Sequence, residues 1–270
     1  MNTVTLLQPP RIVFGNGCAA QSSEYLTQLG ARRVLLVTSK SVRPQVELLV
    51  SALKTAGAAV VEAGFIPAEP TVGFFETALA QARTAKVDAV LAIGGGSVID
   101  VAKLLAALIH GKQHVTEVFG INLLASRGLP IVCLPTTAGT GAEVSPNAIL
   151  LDEASELKKG VVSPHLVADA AFIDPLLTVS VTPDVTAATG LDALTHCIEA
   201  YANRLAHPMV RRAGERVAVV LPNCPQFFIV ELGAWKIGAV LVPLNPIYSV
   251  EELEGPVRTT GARVVVTLST

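Results

Sequence analysis

Between residues 33 and 134 the chain repeats one pattern, a short apolar run followed by a longer amphipathic one. The apolar runs at 33–38, 58–65, 87–93 and 130–134 read as strands. The segments between them, 45–56, 72–85 and 98–109, carry helical spacing of apolar residues. Short connections leave one economical architecture, a parallel sheet with a helix crossing over between successive strands. Strands in such a sheet are covered on both faces and therefore apolar throughout. A chain that is 51% hydrophobic and only 16% charged has the residues for it. Two further extended segments are expected at 147–151 and 171–173.

The rhythm then changes. Thr182 is placed to cap a helix with Pro183 in its first turn, and 191–202 follows as an amphipathic helix. Past Arg212 strand and helix alternate again. Strands are expected at 216–221, 239–244 and 263–268, with helices at 226–237 and from Ser249 to Arg258. The fold class expected is α/β. A doubly wound parallel sheet over 1–180 is followed by the start of a helical domain over 181–212, then a short βαβαβ fragment over 213–270.

Several function classes are disfavoured at the outset. The formal net charge is −2 and the pI about 6.2, and no basic stripe interleaved with aromatics appears, so nucleic acid is not an expected partner. The most apolar stretch, 227–244, contains Glu231 and Lys236 and reads as buried helix and strand rather than a membrane span. The first ten residues lack a basic segment followed by an apolar core, so a cytoplasmic protein is expected. Cys18, Cys133, Cys197 and Cys224 are scattered without a CxxC pair and read as structural.

Three motifs could carry chemistry. Gly94-Gly95-Gly96-Ser97 ends a strand and opens a helix. Glycines admit a pyrophosphate to the backbone, and a helix N-terminus offers free N–H groups and a positive dipole end. The pattern is not GxGxxG, so a merely tight turn is the alternative. Pro135-Thr136-Thr137-Ala138-Gly139-Thr140-Gly141 also follows a strand, and is either a phosphate- or ribose-contacting turn or an ordinary polar loop. Ligands of open α/β sheets bind at the carboxyl ends of strands, so two such turns together strengthen each other. Third, Asp192 and His196 stand four residues apart on one helix face. They are donors suited to Fe²⁺ or Zn²⁺, or else a solvated carboxylate and a satisfied histidine. His110 and His114 share the spacing, but Gly111 interrupts the helix. His165 and His207 adjoin prolines in loops.

In this order the motifs resemble the iron-containing (group III) alcohol dehydrogenase family over residues 8–208. The resemblance is carried by Phe14-Gly15-Asn16-Gly17, by 94–103 and 135–144, by Val162-Ser163-Pro164-His165 and by 186–196. It implies an N-terminal Rossmann-like domain for NAD or NADP and a helical domain for the metal. It places Gly95, Gly96 and Ser97 at the pyrophosphate, with Thr136, Thr137, Thr140, Asn147 and Lys158 lining the rest of the cofactor site. Asp192 and His196 would be two metal ligands for Fe²⁺, with Zn²⁺ as the alternative. The substrate implied is a small alcohol, aldehyde or hydroxy acid, and a homo-oligomer is left open. At the end of the strand 33–38, where family members often carry an aspartate that favours NAD, this chain has Ser39 and Lys40. NADP is therefore as open as NAD.

The family supplies two further histidine ligands from later helices, and no matching motif follows His196. Instead 214–270 resembles the start of an adenylate-forming acyl-CoA synthetase, through 214–226, 238–246 and 261–266, and stops before that family's ATP loop. The function expected is an NAD(P)-dependent, metal-containing alcohol dehydrogenase impaired by two missing ligands. The alternative is a non-catalytic dinucleotide-binding or interaction protein arising from a gene fusion.

Overall fold

The computed structural model describes residues 7–202, 216–220, 240–244, 249–262 and 264–267. The chain divides into two compact units, Thr5–Thr186 and a second containing Ala187–Thr270.

The first unit holds nine strands, β1 (Arg11–Phe14), β2 (Arg33–Thr38), β3 (Ala59–Phe65), β4 (Ala89–Gly94), β5 (Gly120–Ile121), β6 (Ile131–Pro135), β7 (Asn147–Asp152), β8 (Leu157–Val162) and β9 (Ala170–Ile173). Its helices are α1 (Gln21–Gln28), α2 (Glu47–Thr55), α3 (Val72–Ala85) and α4 (Gly96–Leu108). Six strands form one sheet in the order β1-β9-β6-β4-β2-β3, and every neighbouring pair is parallel. Side chains alternate across a strand, so each central strand feeds two cores. Leu35, Val37, Val90, Ala92, Ile131 and Cys133 join α3 and α4 on one face. Val34, Leu36, Leu91, Ile93, Val132 and Leu134 join Leu26, Val50 and Leu53 of α1 and α2 on the other. This is the doubly wound sheet that the apolar runs imply. A second, small sheet, β5-β8-β7, pairs β7 antiparallel to β8.

Strand order fixes where a ligand can enter. From β2 the chain crosses to β3 at the sheet edge, then returns to β4 on the other side of β2. That reversal opens a crevice beyond the carboxyl ends of β2 and β4. Ser39 and Gly95 follow those ends directly.

Several elements depart from the sequence reading. Helix α5 runs unbroken over Pro183–Ala202; Gly190 lies inside it, a cost of about 1 kcal/mol that a helix tolerates. His165 lies in the connection between β8 and β9, as expected, within a 3-10 turn, Pro164–Leu166. Strands β1, β5 and β8 and helix α1 have no counterpart in the sequence reading.

The second unit holds the C-terminal part of α5 and a parallel sheet β11-β10-β12, made of β10 (Arg216–Val220), β11 (Val240–Pro243) and β12 (Val264–Thr267). Helix α6 (Val250–Thr260) starts with a reciprocal cap between Ser249 and Glu252. The helix expected at 226–237, His207 and Cys224 lie outside the described residues. Among the described residues no helix is long and apolar enough to cross a membrane.

Candidate functional site

Three strand ends meet at the crevice. Thr38 at the end of β2 donates its hydroxyl to the carbonyl of Ile93 at 2.8 Å. The N–H of Thr136, just past β6, donates to the carbonyl of Gly94 at 3.0 Å. These bonds register β2, β4 and β6 against each other where they stop. The turn between β4 and α4 has little room. A Cβ on Gly94 would lie 2.6 Å from the Val98 side chain, and one on Gly96 would lie 2.8 Å from that of Thr140. Glycine is therefore required sterically, and the backbone is left bare toward the crevice. Gly95 is the N-cap of α4 and no side chain caps it. The helix thus presents uncapped N–H groups and its positive end to whatever lies there.

The threonine turn packs against this bare backbone. Thr137 Oγ1 would be 3.3 Å from a Cβ on Gly95, and Thr140 accepts the Ala142 N–H at 3.2 Å. Thr136 is buried, Thr137 half-buried and Thr140 exposed. Ser97 Oγ donates to the carbonyl of Ala68, in the β3–α3 connection, at 2.7 Å. The next residue, Glu69, holds Lys158 of β8 at 2.7 Å. Gly95, Gly96, Ser97, Thr136, Thr137 and Thr140 are thus brought together, and Lys158 reaches the same neighbourhood through Glu69. Ser39, just past the end of β2, is half-buried, its hydroxyl 3.1 Å from that of Ser41, and Lys40 is exposed. Asn147 opens β7 with its side chain exposed.

Two residues of α4 were not singled out by sequence. Asp100 accepts the Ile149 N–H at 3.1 Å and lies 3.7 Å from the ammonium of Lys103, which is fully buried. Burial pushes the Asp100 carboxyl up to about 6, against the pull of Lys103. Burial likewise lowers the Lys103 ammonium, opposed by Asp100. The available signal was two charges inside a helix otherwise buried from Val98 to Leu108.

Asp192 and His196 stand on α5, Oδ1 to Nε2 at 3.6 Å, beyond hydrogen-bonding distance. Asp192 Oδ2 is shielded from solvent and, among the described residues, has no hydrogen-bond partner, which is an opening for a cation. The donor types suit iron or zinc, but the number does not. Catalytic sites use three protein ligands, and among the described residues no group of three His, Cys, Asp or Glu side chains could hold a metal ion. The pair alone does not fit a catalytic metal. Cys18 and Cys133 are buried free thiols and Cys197 an exposed one.

A doubly wound parallel sheet with a glycine cradle at its switch point defines a Rossmann-like α/β domain. Residues 9–175 match the iron-containing alcohol dehydrogenase family, and 180–270 match the AMP-binding enzyme family. The chain belongs to the iron-containing alcohol dehydrogenase family. It is 38% identical over 213 residues to long-chain-alcohol dehydrogenase 1 of Geobacillus thermodenitrificans, covering 77% of this chain and 53% of that protein. It is 38% identical over 181 residues to 4-hydroxybutyrate dehydrogenase of Cupriavidus necator, covering 64% and 46%. Among solved structures it is similar to the NADH-dependent butanol dehydrogenase A of Thermotoga maritima, with a TM-score of 0.70, 29% identity, and coverage of 75% and 52%. The chain spans about half the length of the curated relatives it matches.

Proposed function

We propose that residues 5–186 bind NAD(H) or NADP(H) across the crevice between β2 and β4, and that the chain is by descent a metal-dependent alcohol dehydrogenase impaired in hydride transfer. The observation that carries the reading is the cradle at the switch point. Gly94 and Gly96 keep side chains off the backbone, and the uncapped start of α4 faces the position a pyrophosphate takes in such folds. Thr136, Thr137 and Thr140 form one wall of it. Ser39 sits where the adenosine ribose would lie. With no carboxylate there to repel a 2′-phosphate and Lys40 beside it, NADP(H) is as acceptable as NAD(H).

The substrate class follows the relatives' names, a small alcohol, its aldehyde or a hydroxy acid. A bound Fe²⁺ or Zn²⁺ would supply Lewis acidity to an alcohol oxygen, with Asp192 and His196 as its donors. Two donors do not preorganise such a site, and preorganised ligands provide most of the binding free energy. The domain order proposed is a dinucleotide-binding part over 1–180, the start of a metal-binding helical part over 181–212 and an acyl-CoA synthetase-like part over 213–270.

Titration with NADH and NADPH, metal analysis of the purified chain, and assay of butan-1-ol and 4-hydroxybutyrate oxidation test the reading. Saturable dinucleotide binding, substoichiometric iron and zinc, and negligible turnover are expected. Tightly held stoichiometric metal with sustained turnover would overturn the impairment. Absence of binding to both dinucleotides would overturn the cofactor site and favour an interaction protein.

A further inference from the structure

Asn16 and Gly17 form the one Asn-Gly pair in the chain, and both are exposed in the turn that leads from β1 toward α1. The Cys18 N–H donates to the Gly15 carbonyl at 3.2 Å. Gly17 takes φ 78° and ψ 1°, the third position of a type II turn. Asparagine is a thermolabile residue, most of all before a glycine, whose nitrogen has no Cβ beside it to hinder its approach. That nitrogen can attack the carbonyl carbon of the Asn16 side chain. A new C–N bond closes a succinimide ring and the bond to Nδ2 breaks. The side-chain nitrogen leaves as ammonia, taking the proton from Gly17. Water then opens the ring at one carbonyl or the other, leaving aspartate or isoaspartate at position 16.

In the fold the attacking nitrogen is engaged. Its N–H is directed at Asp174 Oδ1, 3.0 Å away. Asp174 is 3% exposed and is itself fixed by the N–H groups of Ala19 at 3.1 Å and Leu176 at 3.0 Å. Once the proton is lost, the attacking electron pair lies along the direction the N–H now takes, toward Asp174 rather than the Asn16 side chain. The carboxylate also opposes loss of that proton, because a second negative charge would then face it. We infer that Asn16 is a self-modification site restrained by Asp174, with succinimide forming when Asp174 releases the Gly17 N–H. The extra main-chain carbon of isoaspartate would fall between β1 and the N–H groups that Asp174 holds. The inference is independent of the cofactor site proposed above.

The test ages the full chain in mildly alkaline buffer, folded and in guanidinium chloride. Peptide mapping follows Asn16 by separating its asparaginyl, aspartyl and isoaspartyl forms. Asp174→Ala and Leu26→Ala are aged beside wild type, below their unfolding transitions. Leu26 is buried on α1, so its variant loosens the neighbouring helix and leaves the carboxylate in place. Wild type is expected to convert at least about tenfold more slowly folded than unfolded. Asp174→Ala loses a hydrogen bond to a charged acceptor and is expected to convert about tenfold faster than folded wild type. Leu26→Ala is expected to match wild type. Absence of conversion in the unfolded chain overturns the site. Equal rates in folded and unfolded wild type, or in Asp174→Ala and Leu26→Ala, overturn the restraint. Should Asp174→Ala fail to fold, Asp174→Asn decides. It keeps an acceptor oxygen without the charge, so conversion about threefold faster than wild type is expected, and an unchanged rate overturns the role of Asp174.

Discussion

Asp100 is one of the carboxyls that make the fold sensitive to pH. Its pKa is raised by burial from 3.8 to about 6. A carboxyl raised in the folded state holds its proton longer there than when unfolded. Its contribution to stability is therefore complete below about pH 4 and is lost as pH rises through about 6. Asp100→Asn keeps an oxygen for Ile149 and removes the titration. The stability difference, variant minus wild type, should rise in the variant's favour by on the order of 2 kcal/mol between pH 4.5 and 6.5, read by urea unfolding at each pH. A difference that stays flat would show that Asp100 keeps its ordinary pKa in the fold. Glu47, Asp152 and Glu153 are shifted the opposite way by hydrogen bonds, which is why the comparison must be against the variant. Gly94 gives a second test at this scale. Adding a methyl group where the nearest Val98 carbon is 2.6 Å away forces strand end and helix apart, so Gly94→Ala should cost about 1–3 kcal/mol by urea midpoint. The glycines and threonines of the crevice were legible because their residue types state a steric need. Asp100 and Lys103 were not, because a charge inside an apolar helix says only that a partner exists, and the partners are backbone groups forty residues later.

Among the elements, sequence reading succeeds where the spacing of apolar residues is regular. Helix α3 occupies 72–85 as the spacing predicts, and β2 spans 33–38. It fails at the periphery. Strand β1 reads Arg-Ile-Val-Phe with no buried residue, and α1 begins Gln-Ser-Ser-Glu, with Ser22 and Leu26 as its buried positions. Neither announces itself through periodicity, and both are held by one side chain from the far end of the unit. Asp174 accepts the N–H groups of Gly17 at 3.0 Å and Ala19 at 3.1 Å, and caps its own 3-10 turn through Leu176 at 3.0 Å. It is 3% exposed. Removing the carboxylate leaves three N–H groups without their acceptor, that of the buried Ala19 among them. Asp174→Ala should therefore cost about 2–4 kcal/mol, and amide exchange should quicken first at 11–28. A loss under 1 kcal/mol, with β1 and α1 still protected, would show that the edge strand is held by its pairing with β9 alone.

For the whole molecule the question is how much of the chain the cradle needs. Among the described residues every strand of the six-stranded sheet, helices α1 to α4 and both hydrophobic cores lie between residues 11 and 177. The residues proposed for the cofactor lie within the same bounds, whereas Asp192 and His196 lie beyond them on α5. On the proposed reading, dinucleotide binding and metal binding are therefore separable by chain length. A polypeptide of residues 1–186 contains the complete compact unit Thr5–Thr186, and a domain of this size buries enough apolar surface to fold unaided. It should unfold cooperatively and hold NADH or NADPH with a Kd within about threefold of the full chain's, since binding energy differs little when the contacts are the same. Residual iron or zinc binding by the full chain should vanish in it, because neither donor remains. A fragment that folds but binds no dinucleotide, beside a full chain that does, would move part of the cofactor site past residue 186. Equal dinucleotide affinity with metal lost only from the fragment would separate the two halves of the ancestral chemistry within one polypeptide.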